Sequence, residues 1–327
     1  MSPQPLKKEF KMQTVSIIIP IYNESPNVRP LYKKVTSVIK KLPQRFELIF
    51  IDDGSSDDSV KKLHAITKKD ADVRTVELAR NFGKEIAITA GLHAAKGDAA
   101  IIMDADLQHP PELLPKFIEQ WQGGSDVVVG VKQYSKDETW FKRFSSKLFY
   151  TLLKKISSSH ITPHASDFRL INRSVIDTFK AFTERNRIAR GLIDWTGFNR
   201  SYVYFEAPPR LHGKATYSYR KLFALAINSF VAYSMLPLKF AGWLGWLILI
   251  GSSLLGVFVV IEKYLLNDVM QLNITGTAFL ATLLLFLVGV VLICLGFVAL
   301  YIARIHEEVV NRPLYIVKRE TNHEDSV

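Results

Sequence analysis

The chain has a single cysteine among 327 residues. Disulfides and cysteine-based metal sites are therefore excluded, and Cys294 itself stands inside a long apolar run. The histidines supply no metal set either: His160 and His164 are four apart, but Pro163 between them breaks the helix that would align them. No GxGxxG turn follows the first apolar strand, where PIYNES stands instead, which sets aside a dinucleotide-dependent oxidoreductase. The opening MSPQPLKKEFKMQT lacks the apolar core of a signal peptide, so residues 15–236 are expected to stay on the side of synthesis. Charge is missing altogether from Phe240 to Ile261 and from Leu272 to Ala303. Each stretch exceeds the roughly 20 apolar residues that cross a bilayer as a helix.

These two stretches predict a C-terminal transmembrane hairpin over residues 237–305, after a flexible tail at 1–14 and before a second tail at 306–327. Arg220, Lys221 and Lys239 precede the first span and Arg304, Arg312, Lys318 and Arg319 follow the second, whereas EKYLLNDVMQLN between them carries only Lys263. The excess of cations outside the connecting loop places both termini in the cytoplasm. A formal net charge of +11 suits an anionic membrane leaflet. We prefer lipid to nucleic acid as the partner, because the cations gather beside the apolar segments. Gly242, Gly245 and Gly251 would permit close helix contact in the first span.

Between residues 15 and 133 the pattern alternates short apolar runs with helical periods: VSIIIPIY, VRPLYKKVTSVIKKL, FELIFIDD, SVKKLHAITKK, VRTVEL, EIAITAGLHAA, AAIIMDAD, ELLPKFIEQWQ and DVVVGVK. This is an α/β domain, expected to hold a mostly parallel sheet covered on both faces. Such sheets bind ligands beyond the carboxyl ends of their strands. Residues 138–156 set Phe141, Phe144, Leu148 and Leu152 at helical spacing among lysines and arginines, the pattern of an interfacial helix. An ordinary helix packed on the domain would read the same way. Residues 219–236 form a second candidate juxtamembrane helix.

The chemistry gathers at strand ends. AAIIMDADLQHPPE stops a strand with Asp104 and Asp106 one residue apart, and Gln108 continues the register. Alternating side chains let both carboxylates face one hard cation and the phosphates that complete its shell, which suits a nucleotide-diphosphate donor. Taken alone, the pair reads equally as a solvated Asp-rich loop before a proline-capped helix. SIIIPIYNE offers Pro20, Tyr22 and Glu24 on one face, an aromatic ring for a base and a carboxylate beside it. FIDDGSSDDS ends a strand in Asp52 and Asp53 and reads equally as a ligand-facing acid or as a tight turn with a helix cap. RNFGKE puts Arg80, Asn81 and Lys84 around Gly83 at a helix start, for sugar or phosphate contacts or as solvated charge. SDFRL holds Asp167 and Arg169, and RNRIARG holds Arg185, Arg187 and Arg190, cations fit for diphosphate or lipid phosphate. The loop PPRLHGKATYSYRKL, with Arg210 and Lys214, has the position of a lid or phosphate clamp.

In this order, SIIIPIYNE, FIDDGSSDDS, RNFGKE, MDADLQHPPE, SDFRL and GKATYSYRKL resemble the family 2 glycosyltransferases that act on polyprenyl phosphates. The resemblance spans about residues 15 to 310. It is nearest the bacterial members that glucosylate undecaprenyl phosphate and extends to dolichyl-phosphate mannose synthases. It implies a GT-A fold, a UDP-sugar donor with glucose favoured, a Mg²⁺ or Mn²⁺ ion, and inverting transfer to undecaprenyl phosphate. It also implies a homo-oligomer, a tetramer, at the inner membrane of a bacterium. By the same resemblance Pro20, Tyr22, Glu24, Ile51, Asp53, Lys84, Asp104, Ala105 and Lys214 belong to the donor site, and Asp104, Asp106 and Gln108 to the metal. Arg169, Arg187, Arg190 and Arg210 are assigned to the acceptor phosphate or diphosphate, and Asp167 is the candidate base, with orientation of Arg169 or a sugar hydroxyl as its other role. GDP-mannose as donor, and a non-catalytic membrane adaptor, are the competing readings. A processive polysaccharide synthase would need more spans and QxxRW, where RIARG stands.

Overall fold

The computed structural model describes residues 13–133, 165–206 except 186, and 276–322, with isolated positions between 208 and 261. The candidate juxtamembrane helices at 138–156 and 219–236, Arg210, Lys214 and most of the first apolar stretch lie outside the described residues. The chain divides into two compact units, Met1–Thr216 with Arg312–Val327, and Tyr217–Asn311.

The first unit is built on eight strands: β1 (Thr14–Ile21), β2 (Arg45–Asp52), β3 (Val73–Leu78), β4 (Ala99–Ile102), β5 (Val127–Lys132), β6 (Ala165–Asn172), β7 (Arg200–Phe205) and β8 (Val317–Thr321). Their order in the sheet is β7-β5-β6-β4-β1-β2-β3-β8. The runs IIIPI, LIFI and VVVG are buried because helices cover both faces. One face packs α1 (Ser25–Ile39), α2 (Ser59–Thr67) and α4 (Leu114–Gln122) through residues such as Val28, Leu31, Val35, Leu63 and Phe117. The other packs α3 (Lys84–Ala94), α5 (Arg173–Ala181) and α6 (Ala189–Trp195) through Ile88, Leu92, Ile176, Phe179 and Ile193.

The sheet is mostly parallel, as the sequence pattern implies, with two strands running against the other six. β1 runs parallel to β2 and β4, β2 to β3, and β5 to β7, whereas β6 lies antiparallel between β4 and β5, and β8 lies antiparallel beside β3. Apolar periodicity records which side chains are buried and carries no strand direction, so the two antiparallel strands, β6 and β8, leave no mark in the sequence pattern. The insertion of β6 positions the site. Its ladder pairs Ile102 with Arg169 and Ala99 with Asn172, so the end of β4 lies beside the part of β6 that carries Asp167.

Val317–Thr321 also departs from the expected free tail. It closes the β3 edge, pairing Val76 with Glu320 and Thr75 with Thr321. Four of its five residues are exposed, so no apolar run marks it as a strand.

The second unit contains α7 (Gly276–Val309), 34 residues long. Its segment Phe286–Ala303 is long and apolar enough to cross a membrane, and Leu284, Phe286, Val291 and Leu292 are exposed along it.

Candidate active site

β4 ends at Ile102 and the chain then turns rather than extending, with Leu107 in the left-handed region at φ 62°. Through this turn Asp104, Asp106 and Gln108 are half-buried while Ala105, Leu107 and His109 between them are buried. The alternation that the sequence suggests for a strand is produced here by a tight turn. Asp106 accepts the Gln108 amide at 3.0 Å, which pins the loop. His109, a residue the motif contains but whose role sequence reasoning missed, accepts the Asp104 amide on Nδ1 at 2.9 Å. Its ring stacks on Phe168 with centroids 4.9 Å apart and meets Phe205 edge-on. Burial lowers the His109 pKa, although Asp104 opposes this.

Lys84 ties the two halves together. Its Nζ lies 2.7 Å from Asp104 and 2.8 Å from Asp167. Burial works against the ammonium charge, and the two carboxylates overcome it and raise the Lys84 pKa. Burial would likewise raise the Asp167 carboxyl, but Lys84, Arg190 and Arg169 outweigh it and hold the pKa down to about 2. α3 can present Lys84 here because Gly83, at φ 99°, turns the chain into the helix without a Cβ penalty.

The DDGSS segment has a structural task. Asp53 is buried, and its carboxylate accepts the Phe82 and Gly83 amides at 2.7 and 2.9 Å. It therefore holds the loop that launches α3, and both oxygens of the expected nucleoside contact are already engaged. Burial raises the Asp53 carboxyl and those two amides oppose it. Gly54, at φ 71°, lets the Arg80 backbone approach so closely that an added Cβ would sit 2.5 Å from its carbonyl carbon. Asp52 accepts the Ser55 amide at 3.1 Å.

On the β1 side, Tyr22 is 48% exposed, with Pro20 partly buried before it. Glu24 is partly buried and accepts from the Asn27 amide nitrogen Nδ2 at 2.6 Å. Ile51 is buried and lies in register with Pro20, so only its backbone can meet a ligand.

The expected phosphate-binding arginines separate. Arg169 is 1% exposed. Its guanidinium donates to the Ser166 and Arg190 carbonyls at 3.2 and 3.3 Å and meets Asp194 at 3.4 Å. Arg187 is also buried and donates to the Glu184 and Phe182 carbonyls, with its guanidinium over the Phe179 ring. Both are buried and hydrogen-bonded to backbone carbonyls, where the sequence pattern leads one to expect exposed phosphate contacts: their strand and loop positions turn them inward, and residue type alone does not record depth. Arg190 is exposed, and its charge acts on Asp167 and Glu85.

Among the described residues no group of three or more His, Cys, Asp or Glu forms a metal cage. The two carboxylates of Asp104 and Asp106, with an amide side chain at Gln108, are all-oxygen donors. They fit a hard Mg²⁺ or Mn²⁺ ion that takes its remaining ligands from a diphosphate and from water.

The site is thus two carboxylates at the end of a strand of an α/β sheet, with a lysine between Asp104 and Asp167. The glycosyl transferase family 2 model matches residues 16–179. A glycosyltransferase of Synechocystis sp. is 38% identical over 303 residues, covering 93% of this chain and 94% of the relative. The SfII prophage-derived bactoprenol glucosyl transferase of Shigella flexneri is 35% identical over 305 residues, covering 93% and 97%. The prophage bactoprenol glucosyl transferase homolog of Escherichia coli is 32% identical, covering 93% and 98%. Glucosyl-3-phosphoglycerate synthase from Mycobacterium tuberculosis, solved with Mn²⁺ and UDP-glucose, aligns over 67% of this chain and 77% of its own at 19% identity, with a TM-score of 0.45. The chain belongs to glycosyltransferase family 2, and its sheet is of the GT-A type.

Proposed function

We propose that this enzyme transfers a hexose, glucose in the first instance, from a UDP-sugar to undecaprenyl or another polyprenyl phosphate, with inversion at the anomeric carbon. The observation that carries the reading is the Lys84 bridge between Asp104 and Asp167, at 2.7 and 2.8 Å. It joins the donor-side carboxylate to the acid expected beside the acceptor. Support for a lipid phosphate acceptor comes from the relatives named as bactoprenol glucosyl transferases, aligned over nearly their whole length.

In this mechanism Tyr22 stacks against the base, and Pro20 and the Ile51 backbone line the nucleoside side. Asp104, Asp106 and Gln108 would hold the divalent ion, which when bound supplies charge neutralisation for the departing nucleoside diphosphate. An acceptor phosphate oxygen attacks C1 of the sugar from the face opposite the leaving group. The new C1–O bond forms as the bond to the β-phosphate breaks, and UDP leaves with the electron pair. The acceptor is a phosphate monoester with a second pKa near 6, so at neutral pH it is mostly dianionic and loses no proton on attack. Asp167, with a pKa of about 2, is too weak a base to be needed. It holds Lys84 in place between the approaching charges. Arg190 meets the acceptor phosphate, and Lys84 screens it from the donor.

We place the reaction at the cytoplasmic face of a bacterial inner membrane, with α7 as one span and residues 240–261 as the other, and both termini cytoplasmic. The test is transfer of label into an organic-extractable lipid by the full chain in nanodiscs, with undecaprenyl phosphate, Mg²⁺ or Mn²⁺, and a panel of UDP-sugars and GDP-mannose. Asp106→Asn is the blank. Label from UDP-glucose is the expected outcome; label from GDP-mannose alone would move the enzyme to the mannosyl branch. Failure of every donor despite intact nucleotide binding would favour an adaptor.

A further inference from the structure

Helix α6 begins without a cap of its own. Its N-cap residue is Ile188, whose side chain has no oxygen to accept the first-turn amides. The missing acceptor comes from another helix: the Glu85 carboxylate accepts the Ala189 amide at 2.7 Å. Negative charge at this end also complements the helix dipole. Glu85 directly follows Lys84, so one turn of α3 makes the Asp104–Lys84–Asp167 bridge and the α6 cap together. The rest of α6 is held from the sheet. Arg169 donates to the Arg190 carbonyl at 3.3 Å and Arg200 to the Asp194 carbonyl at 2.9 Å. The residue next to the capped amide is Arg190.

We propose that Glu85 is a positioning residue for the acceptor: by capping α6 it sets where Arg190 stands relative to Asp167. This rests on Arg190 meeting the acceptor phosphate, as in the reading above. The cap and the cation are adjacent along the chain, so loss of the cap loosens the end of α6 from which Arg190 projects, leaving the Arg169 bond to its carbonyl to hold it. This contact is remote from the β1 side, where the nucleoside binds. Acceptor affinity is then sensitive to Glu85 while donor affinity is not.

The experiment compares Glu85→Ala, Glu85→Gln and Arg190→Ala in the full chain, measuring KM for undecaprenyl phosphate and for the UDP-sugar separately. Hydrogen exchange across residues 186–195 accompanies the kinetics. Arg190→Ala is expected to raise the acceptor KM about tenfold, the size of one lost charge-assisted hydrogen bond. Glu85→Ala should raise it by a comparable factor with the donor KM unchanged and faster exchange at the Ala189 amide. Glu85→Gln, which still offers a carbonyl oxygen, should recover most of the loss. The double variant should be no worse than Arg190→Ala. An acceptor KM that rises in Arg190→Ala and stays at the parent value in Glu85→Ala overturns the positioning role and leaves the acceptor reading standing. Equal rises in both KM values without rescue by glutamine overturn it in favour of a general packing defect. An acceptor KM untouched in Arg190→Ala removes the acceptor reading of Arg190, and the inference falls with it.

Discussion

The Asp104 amide donates to Nδ1 of the buried His109 ring at 2.9 Å, so the loop that carries the paired aspartates is closed on itself by a histidine five residues on. A nitrogen that accepts carries no proton, and burial keeps the ring neutral. The ring stacks on Phe168, whose chain neighbours are Asp167 and Arg169. The Asp104 loop is thus keyed to β6, which carries Asp167.

His109→Phe keeps the stacked ring and removes the acceptor. A buried amide left without a partner costs about 1–3 kcal/mol, and the cost falls on the backbone that aims Asp104. The expected result is a donor KM raised about tenfold, seen also as weaker UDP binding by calorimetry in the presence of Mn²⁺. His109→Asn offers a carbonyl oxygen near the same place and should recover part of the loss. A His109→Phe enzyme with the parent's donor KM would show that the loop keeps its shape without this bond.

Lys84 faces two carboxylates, so its removal leaves like charges across a short gap. Lys84→Met should lower turnover about 100-fold, comparable to the loss of one preorganised electrostatic donor. Because Lys84 and Asp167 share one contact at 2.8 Å, the double variant with Asp167→Asn should fall well short of the product of the single effects. Simple additivity would mean that the two residues act on different steps.

Asp167 supplies the pH prediction. Burial pushes its carboxyl up, but Lys84 and the nearby arginines bring it down to about 2, below the ordinary 3.8. A depressed carboxyl contributes stability above its unfolded value, and that contribution is lost as pH falls from there towards 2. From pH 5 to 9 Asp167 is ionised throughout and contributes no limb to the rate profile. The acid limb belongs to the acceptor phosphate, with a midpoint near 6. Asp167→Asn should lower the rate while keeping that limb. Loss of the limb in the variant would make Asp167 a titrating general base.

What the sequence made legible follows from what each pattern encodes. Asp104 and Asp106 stand out only in company: the pair alone reads as a solvated loop before a proline-capped helix, and it is the accompanying RNFGKE and SDFRL that single it out. Lys84 stands out because RNFGKE starts a helix. Their meeting with Asp167 depends on β6 lying antiparallel beside β4, a long-range pairing that no local period records. Asp53 and Arg169 carry the residue types of ligand contacts, yet both are buried and hydrogen-bonded within the chain. Charge type gives chemistry; only packing decides whether water or protein receives it. His109 was hidden for the opposite reason, since a lone histidine in a loop carries no signal of a backbone hydrogen bond.

The eighth strand changes how the apolar C-terminal segments can be removed. Truncation at residue 236 deletes β8 along with the apolar stretches; it uncovers the β3 edge, where Arg74 pairs with Glu47 and Glu320, and removes Tyr315 from His93 on α3. An exposed strand edge also invites association with other chains. Deleting residues 312–327 alone should therefore lower the Tm of the catalytic unit by about 4–8 °C, equivalent to a loss of roughly 2 kcal/mol for a unit of this size. Glu320→Ala should lower it by a smaller amount, because Arg74 keeps Glu47 at 3.2 Å. A catalytic unit rejoined to residues 312–322 through a short flexible linker in place of 217–311 should regain the full Tm and stay monodisperse. If the truncated and rejoined proteins melt together, β8 adds nothing to the sheet it completes, and truncation at 236 becomes a fair test of what the apolar C-terminal segments do for transfer to a lipid acceptor.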